Sequence, residues 1–178
     1  NDTPVLLNSI ADQVAREDTL FTLDISSSFT DVDLGDSLNY TASGLPVGII
    51  IDSSGLISGI AENAAIGSYN VAVTATDESA KSIVDLFVLT VENVNDTPVL
   101  LNSIADQVAR EDVVFTLDIS NNFTDVDLGD ILNYTASGLP VGIIINSSGL
   151  ISGIPENAAV GSYSVIVTAT DKSAASVI

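Results

Sequence analysis

Residues 44–77 read GLPVGIIIDSSGLISGIAENAAIGSYNVAVTATD, and residues 138–171 read GLPVGIIINSSGLISGIPENAAVGSYSVIVTATD. The recurrence extends outward from this stretch. Asn1-Asp2-Thr3-Pro4-Val5-Leu6-Leu7 returns at residues 95–101, an offset of 94, and 70 of the 84 positions aligned at that offset are identical. A period of this length is too long for a solenoid repeat and suits one compact domain. Two tandem domains are therefore expected, 1–94 and 95–178. The counterpart of residues 85–94, DLFVLTVENV, is not in the second copy, which is expected to lack most of its last strand. The chain is also expected to be a piece of something longer, since it opens on Asn1 without an initiator Met and a signal segment.

Within each copy the apolar residues alternate rather than recur at helical spacing. Phe21, Leu23 and Ile25 are separated by Thr22 and Asp24. Val71, Val73 and Ala75 alternate with Ala72 and Thr74, and Phe87, Leu89 and Val91 with Val88 and Thr90. Such alternation gives a strand one buried face. Turns are expected at Gly35, at residues 44–46, 52–55, 64–67 and 77–80, where Gly, Asx and Ser supply the backbone angles. About seven short strands per copy point to an all-β chain of two β-sandwiches. Tyr69, just after Gly67-Ser68, is placed as a tyrosine corner, its hydroxyl tied to nearby backbone.

Composition narrows the chemistry. The chain carries 24 acidic and 4 basic side chains, a net charge of −20, and no His, Cys, Met or Trp. Imidazole or thiol catalysis, thiolate or imidazole zinc sites and disulfides are excluded, leaving oxygen ligands. With only Arg16, Lys81, Arg110 and Lys172 as cations, nucleic acid and anionic membrane surfaces are repelled. No apolar run approaches the ~18 residues of a membrane span.

The acids concentrate in one motif. Asp31, Asp33 and Asp36 form Asp-x-Asp-x-Gly-Asp between two strands, repeated as Asp125, Asp127 and Asp130. Residues i and i+2 of an extended segment project the same way, and Gly35 lets the chain turn to add the third carboxylate. Three neighbouring anions suit Ca2+, a hard ion taking six to eight oxygen ligands. The spacing equally suits a solvated acidic turn held by Asx hydrogen bonds. The helices and twelfth-position Glu of an EF-hand are absent.

The ordered series Gly-Leu-Pro, Asx-Ser-Ser-Gly, Ile-Ser-Gly, Gly-Ser-Tyr and Thr-Ala-Thr-Asp, closed by VENVNDTP, resembles the dystroglycan-type cadherin-like domain of bacterial extracellular proteins. It covers both copies almost end to end. The resemblance implies two Greek-key Ig/cadherin-like sandwiches with calcium between successive domains. Carried over residue by residue, it implies a central-junction set of Glu17, Asp18, Asn93, Asn95, Asp96, Asp125, Asp127 and Asp171. An upstream half-site would comprise Asn1, Asp2, Asp31, Asp33 and Asp77, and Glu111 and Asp112 would face a following domain. Asn93 replaces an acidic residue of the cadherin linker and Thr97 an Asn, so fewer ions than at a cadherin junction are expected.

The leading expectation is a non-enzymatic stalk, spacer or adhesion module of a large bacterial surface or secreted protein, stiffened by calcium and flanked by further repeats. Carbohydrate binding is an alternative. It needs exposed aromatic rings, and only Phe29, Tyr40, Phe123 and Tyr134 are candidates, the others being assigned inward positions. Catalysis by paired carboxylates lacks an apolar cleft. A further alternative is a fibre assembled by strand donation into the incomplete second sandwich, an open edge that invites strand addition.

Overall fold

The computed structural model describes residues 1–178 except Leu34 and Asp36. It divides into two compact units, Asn1–Val94 and Asn95–Ile178. Both are built from strands and single-turn 3-10 segments. Among the described residues no helix is long and apolar enough to cross a membrane.

Unit 1 contains β1 (Val5–Leu6), β2 (Gln13–Arg16), β3 (Leu20–Asp24), β4 (Phe29–Thr30), β5 (Asn39–Ser43), β6 (Ile49–Ile51), β7 (Leu56–Ile60), β8 (Gly67–Thr76) and β9 (Ser82–Glu92). One sheet has the order β2-β9-β8-β5, the other β3-β7-β6, with β1 and β4 as a short separate pair. The spine is the antiparallel β8–β9 pair, in register from Gly67↔Val91 to Thr76↔Ser82. Both strands alternate strictly, so Val71, Val73 and Ala75 of β8 and Phe87, Leu89 and Val91 of β9 are buried together. Ile25, Ile49 and Ile57 close the core from the other side. β2 joins this sheet in parallel, from Gln13↔Leu89 to Arg16↔Glu92.

Where β6 meets β7, Ile49 is the partner of Gly59. Gly59 has φ 148°, and a Cβ there would lie 2.0 Å from the Gly48 carbonyl oxygen. Only glycine permits that approach.

Unit 2 contains β10 (Val99–Leu100), β11 (Phe115–Asp118), β12 (Phe123–Thr124), β13 (Asn133–Ser137), β14 (Ile143–Ile145), β15 (Leu150–Gly153), β16 (Ile166–Thr170) and β17 (Ser176–Val177). Its sheets are β13-β16-β17 and β11-β15-β14, with β10 and β12 paired separately. β17 meets β16 at only two positions, Ala169↔Val177 and Thr170↔Ser176. The sequence Gln-Val-Ala-Arg forms β2 in unit 1, yet the identical residues 107–110 are not a strand. The difference is tertiary: β2 takes its ladder from β9, and the 178 residues reach only as far as the counterpart of Val84. For the same reason the ten-residue β8 shrinks to the five-residue β16.

Three expectations about aromatic residues are corrected. The hydroxyl tied to backbone belongs to Tyr40, which donates to the Ser26 carbonyl at 3.2 Å, as Tyr134 does to Ser120. Tyr69 instead packs its ring against the core. Tyr40 and Tyr134 are buried, stacked at a tilt on buried Phe29 and Phe123 with centroids 5.7 Å apart. These four rings offer no surface platform for a sugar. Burial, and secondarily the neighbouring Asp24 and Asp118 carboxylates, raise the Tyr40 and Tyr134 hydroxyl pKa. Tyr163, assigned to an inward position, is 46% exposed, whereas its counterpart Tyr69 lies opposite Leu89 of β9.

Candidate metal centre

In unit 2 the acidic motif lies in the loop between β12 and β13. The peptide N–H of Asp127 donates to Asp125 Oδ1 at 2.9 Å, an Asx turn that folds the two side chains together. The Asp130 N–H donates to the Asp127 carbonyl at 3.2 Å, bringing in the third residue. Carboxylate oxygens of Asp125, Asp127 and Asp130 lie within 4.8 Å of one another. Asp127 is only 6% exposed.

The start of the unit is laced onto this loop. The Asp96 N–H donates to Asp127 Oδ2 at 2.8 Å, and the Asn95 side-chain amide donates to Asp171 Oδ2 at 2.9 Å. Asp171 heads the turn after β16, where its Oδ1 accepts the Ala175 N–H at 2.8 Å. The Asn95 amide holds the Asp171 pKa below the ordinary aspartate value, aided by backbone N–H groups of the turn and opposed by burial. Asn95, Asp96, Asp125, Asp127 and Asp171 thus form one acidic pole, to which Asp130 is added.

Two oxygens at this pole, Asp127 Oδ1 and Asp125 Oδ2, are buried without a hydrogen-bond partner. A buried carboxylate oxygen without a donor is costly. Every available donor atom in the cluster is oxygen, a set that fits a hard divalent cation.

The corresponding pole of unit 1 repeats this construction. The Asp33 N–H donates to Asp31 Oδ1 at 2.9 Å, and the Asp2 N–H donates to Asp33 Oδ2. Asp77 heads its turn by accepting the Ser79 and Lys81 N–H groups, each at 2.8 Å. It is 6% exposed, and its Oδ2, like Asp31 Oδ2, is buried without a hydrogen-bond partner. Asp36, the third acid of this motif, lies outside the described residues. The family model for a putative Ig domain, He_PIG, matches residues 3–92 and again 97–177.

The chain belongs to this Ig-domain family.

Solved structures place the Ig-family units among cadherin-like sandwiches. Mouse cadherin-23 EC22-24 aligns with a TM-score of 0.62 at 20% identity, over 95% of this chain and 59% of that one. Protocadherin gamma B2 extracellular cadherin domains 1-5 align with 0.64 at 18%, over 99% and 38%. At these identities the likeness is one of fold. An endo-fucoidan hydrolase from glycoside hydrolase family 107 aligns with 0.47 at 22%, over 98% and 27%, too loosely to bear on function. The chain therefore spans less than two thirds of each of these structures. No curated protein matches the sequence.

The other end of Ig unit 1 carries Glu17, Asp18 and Asn93. The ten residues of β8 separate it from the Asp77 turn, roughly 30 Å at strand rise, so one ion cannot serve both ends. Glu17 is fully buried. Its Oε1 accepts the Val94 N–H at 2.8 Å, and its own N–H donates to the Glu92 carbonyl at 3.1 Å. Asp18 adopts a left-handed backbone with φ 56°, and Asn93 is exposed.

Sequence reasoning overlooks the lysines. Lys81 Nζ donates to the Asn1 carbonyl in unit 1. In unit 2 that position is Ala175, and Lys172, which replaces Glu78, lies 3.9 Å from Asp130 Oδ1. Each unit thus brings one ammonium to its acidic pole from a different position of the same turn. The opposite signs at Glu78 and Lys172 are the signal in the sequence.

Proposed function

We propose that this tandem pair is a non-enzymatic stalk, spacer or adhesion module whose acidic poles each take calcium. The observation that carries the reading is Asp127. It is nearly enclosed, its Oδ1 lacks a hydrogen-bond partner, and two further carboxylates lie within 4.8 Å. In unit 2 the ligands are Asn95, Asp96, Asp125, Asp127, Asp130 and Asp171; in unit 1 they are Asn1, Asp2, Asp31, Asp33 and Asp77. On the sequence resemblance alone, Glu17, Asp18 and Asn93 are assigned as further ligands, and the chain as a dystroglycan-type cadherin-like member of its fold. A bound calcium supplies charge neutralisation. The chain's own part is to hold the oxygens together with Asx turns and with the Asp96 N–H on Asp127.

Linkage makes such a site a switch for rigidity. An ion that binds only the ordered pole stabilises it by RT ln(1 + [L]/Kd), about 2.7 kcal/mol when calcium exceeds Kd a hundredfold. Millimolar calcium outside cells suits that role, and with it an extracellular or cell-surface location, in bacteria by the same resemblance, among adjacent repeats of one protein. The test is calorimetric titration with calcium, compared with an Asp125→Asn, Asp127→Asn double variant. Binding by the parent and its loss at one pole in the variant support the reading. A parent protein that takes up no calcium at millimolar concentration refutes it.

A further inference from the structure

Asp2, Asp31, Asp33, Asp36 and Asp77 each have an aspartate counterpart in unit 2, so the two acidic poles offer the same carboxylates. Their flanks differ. Of the 84 aligned positions 70 are identical, and three of the other 14 border the poles: Ser37 becomes Ile131, Glu78 becomes Lys172 and Lys81 becomes Ala175.

These changes exchange one set of contacts for another. In unit 1 Ser37, which follows the acidic motif directly, donates from Oγ to Glu78 Oε1 at 3.1 Å and holds an extra carboxylate beside the loop. Lys81 Nζ donates to the Asn1 carbonyl, a neutral group, and its charge offsets that of Glu78. In unit 2 Ile131 has no side-chain donor. Lys172 instead brings its ammonium to 3.9 Å from Asp130 Oδ1, and residues 173–175, Ser-Ala-Ala, carry no acid to offset it. Around equal ligand sets, the flank of unit 1 is neutral and that of unit 2 is positive. The lysine side chain is 78% exposed, so the ion pair adds little to folding. Its weight falls on an incoming cation, because an ion ligated by Asp130 shares that carboxylate with the ammonium, and a divalent ion feels the repulsion doubled.

We propose that position 78 and its counterpart 172 set different calcium thresholds in the two units, with unit 1 the tighter site and Lys172 a tethered competitor for Asp130 in unit 2. The inference rests on the reading that the poles take calcium. As calcium rises, unit 1 loads first. Unit 2 keeps part of its triad neutralised by its own lysine until calcium is several-fold higher, so the pair responds in two steps.

The test follows the backbone amides of Asp33 and Asp127, which close the Asx turns of the two poles, by two-dimensional NMR during calcium titration of the 178-residue protein. Asn1 is acetylated enzymatically so that no terminal charge adds to the pole of unit 1. The Asp33 signal is expected to reach its midpoint at several-fold lower calcium than the Asp127 signal, with a gap that narrows as salt is added. The reciprocal double variant Glu78→Lys, Lys172→Glu leaves net charge unchanged and is expected to reverse the order, each single variant moving its own unit alone. Equal midpoints in the parent, or an order that the exchange does not alter, overturn the proposal and leave calcium binding standing. Amides that both ignore millimolar calcium overturn the calcium reading and this inference with it.

Discussion

Replacing Asp127 by Asn should change stability in opposite directions with and without calcium. Asn keeps the shape, and its carbonyl can still accept the Asp96 N–H that now bonds Asp127 Oδ2 at 2.8 Å. Its amide nitrogen then takes the place of the partnerless Oδ1, turning an acceptor facing two carboxylates into a donor. At the 4.8 Å limit of the cluster, each pair of like charges costs about 0.9 kcal/mol in a water-like dielectric and about 3.5 kcal/mol at an effective value of 20. The substitution removes two such pairs, Asp127 with Asp125 and with Asp130. Allowing for solvent at half-buried Asp125 and Asp130, relief of about 1 kcal/mol or more is expected in chelator. That raises the melting temperature of unit 2 by about 4–8 °C, the usual response for a domain of this size. With calcium a hundredfold above Kd, the parent gains about 2.7 kcal/mol, and the variant, short of one ligand charge, gains much less. The order of the two melting temperatures therefore inverts. Scanning calorimetry measures the shifts, with hydrogen exchange assigning each transition to its unit. Shifts of one sign in both conditions, or a parent indifferent to calcium, would refute the reasoning.

Lys172→Glu restores the residue of unit 1 and removes an ammonium 3.9 Å from Asp130. Calcium affinity at unit 2 should rise several-fold by titration calorimetry, and the gain should shrink with added salt. Asp171 has a lowered folded pKa, chiefly through Asn95, so its stabilisation is present above the ordinary aspartate value and is lost as pH falls through the lowered one. Asn95→Ala should then destabilise unit 2 at about pH 6 and matter less at about pH 3, read as urea midpoints. Gly59→Ala drives a Cβ to within 2.0 Å of the Gly48 carbonyl. Proteolysis or circular dichroism should show unit 1 losing about 3 kcal/mol or more, while unit 2 stays folded.

The all-β, Ig-like architecture is legible in the chain because two-residue alternation is a local signal. Phe87, Leu89 and Val91 are buried as their spacing indicates. Tyr69 and Tyr40 show where local reading stops. Both sit beside turn residues, and only the packing of β5 over the Ser26 turn decides which hydroxyl reaches a carbonyl. The acidic triad is visible as Asp-x-Asp-x-Gly-Asp, because i, i+2 geometry is local as well. The Lys172 contact is not, since it depends on the turn after β16 lying against a loop about forty residues away. Gln-Val-Ala-Arg is the sharpest case, with one sequence in two conformations. No propensity scale separates residues 13–16 from 107–110, because the deciding partner lies far along the chain.

The parallel pairing of β2 with β9 also has a consequence in time. Gln13 meets Leu89, 76 residues further on. At a synthesis rate of about 5–20 residues per second, roughly 4–15 s pass between the emergence of the two strands from the ribosome. During that interval the first strand has nothing to pair with, and the interior that Phe87, Leu89 and Val91 fill stays open. β9 therefore acts as a latch for unit 1, arriving last to close an interior that the earlier strands leave open.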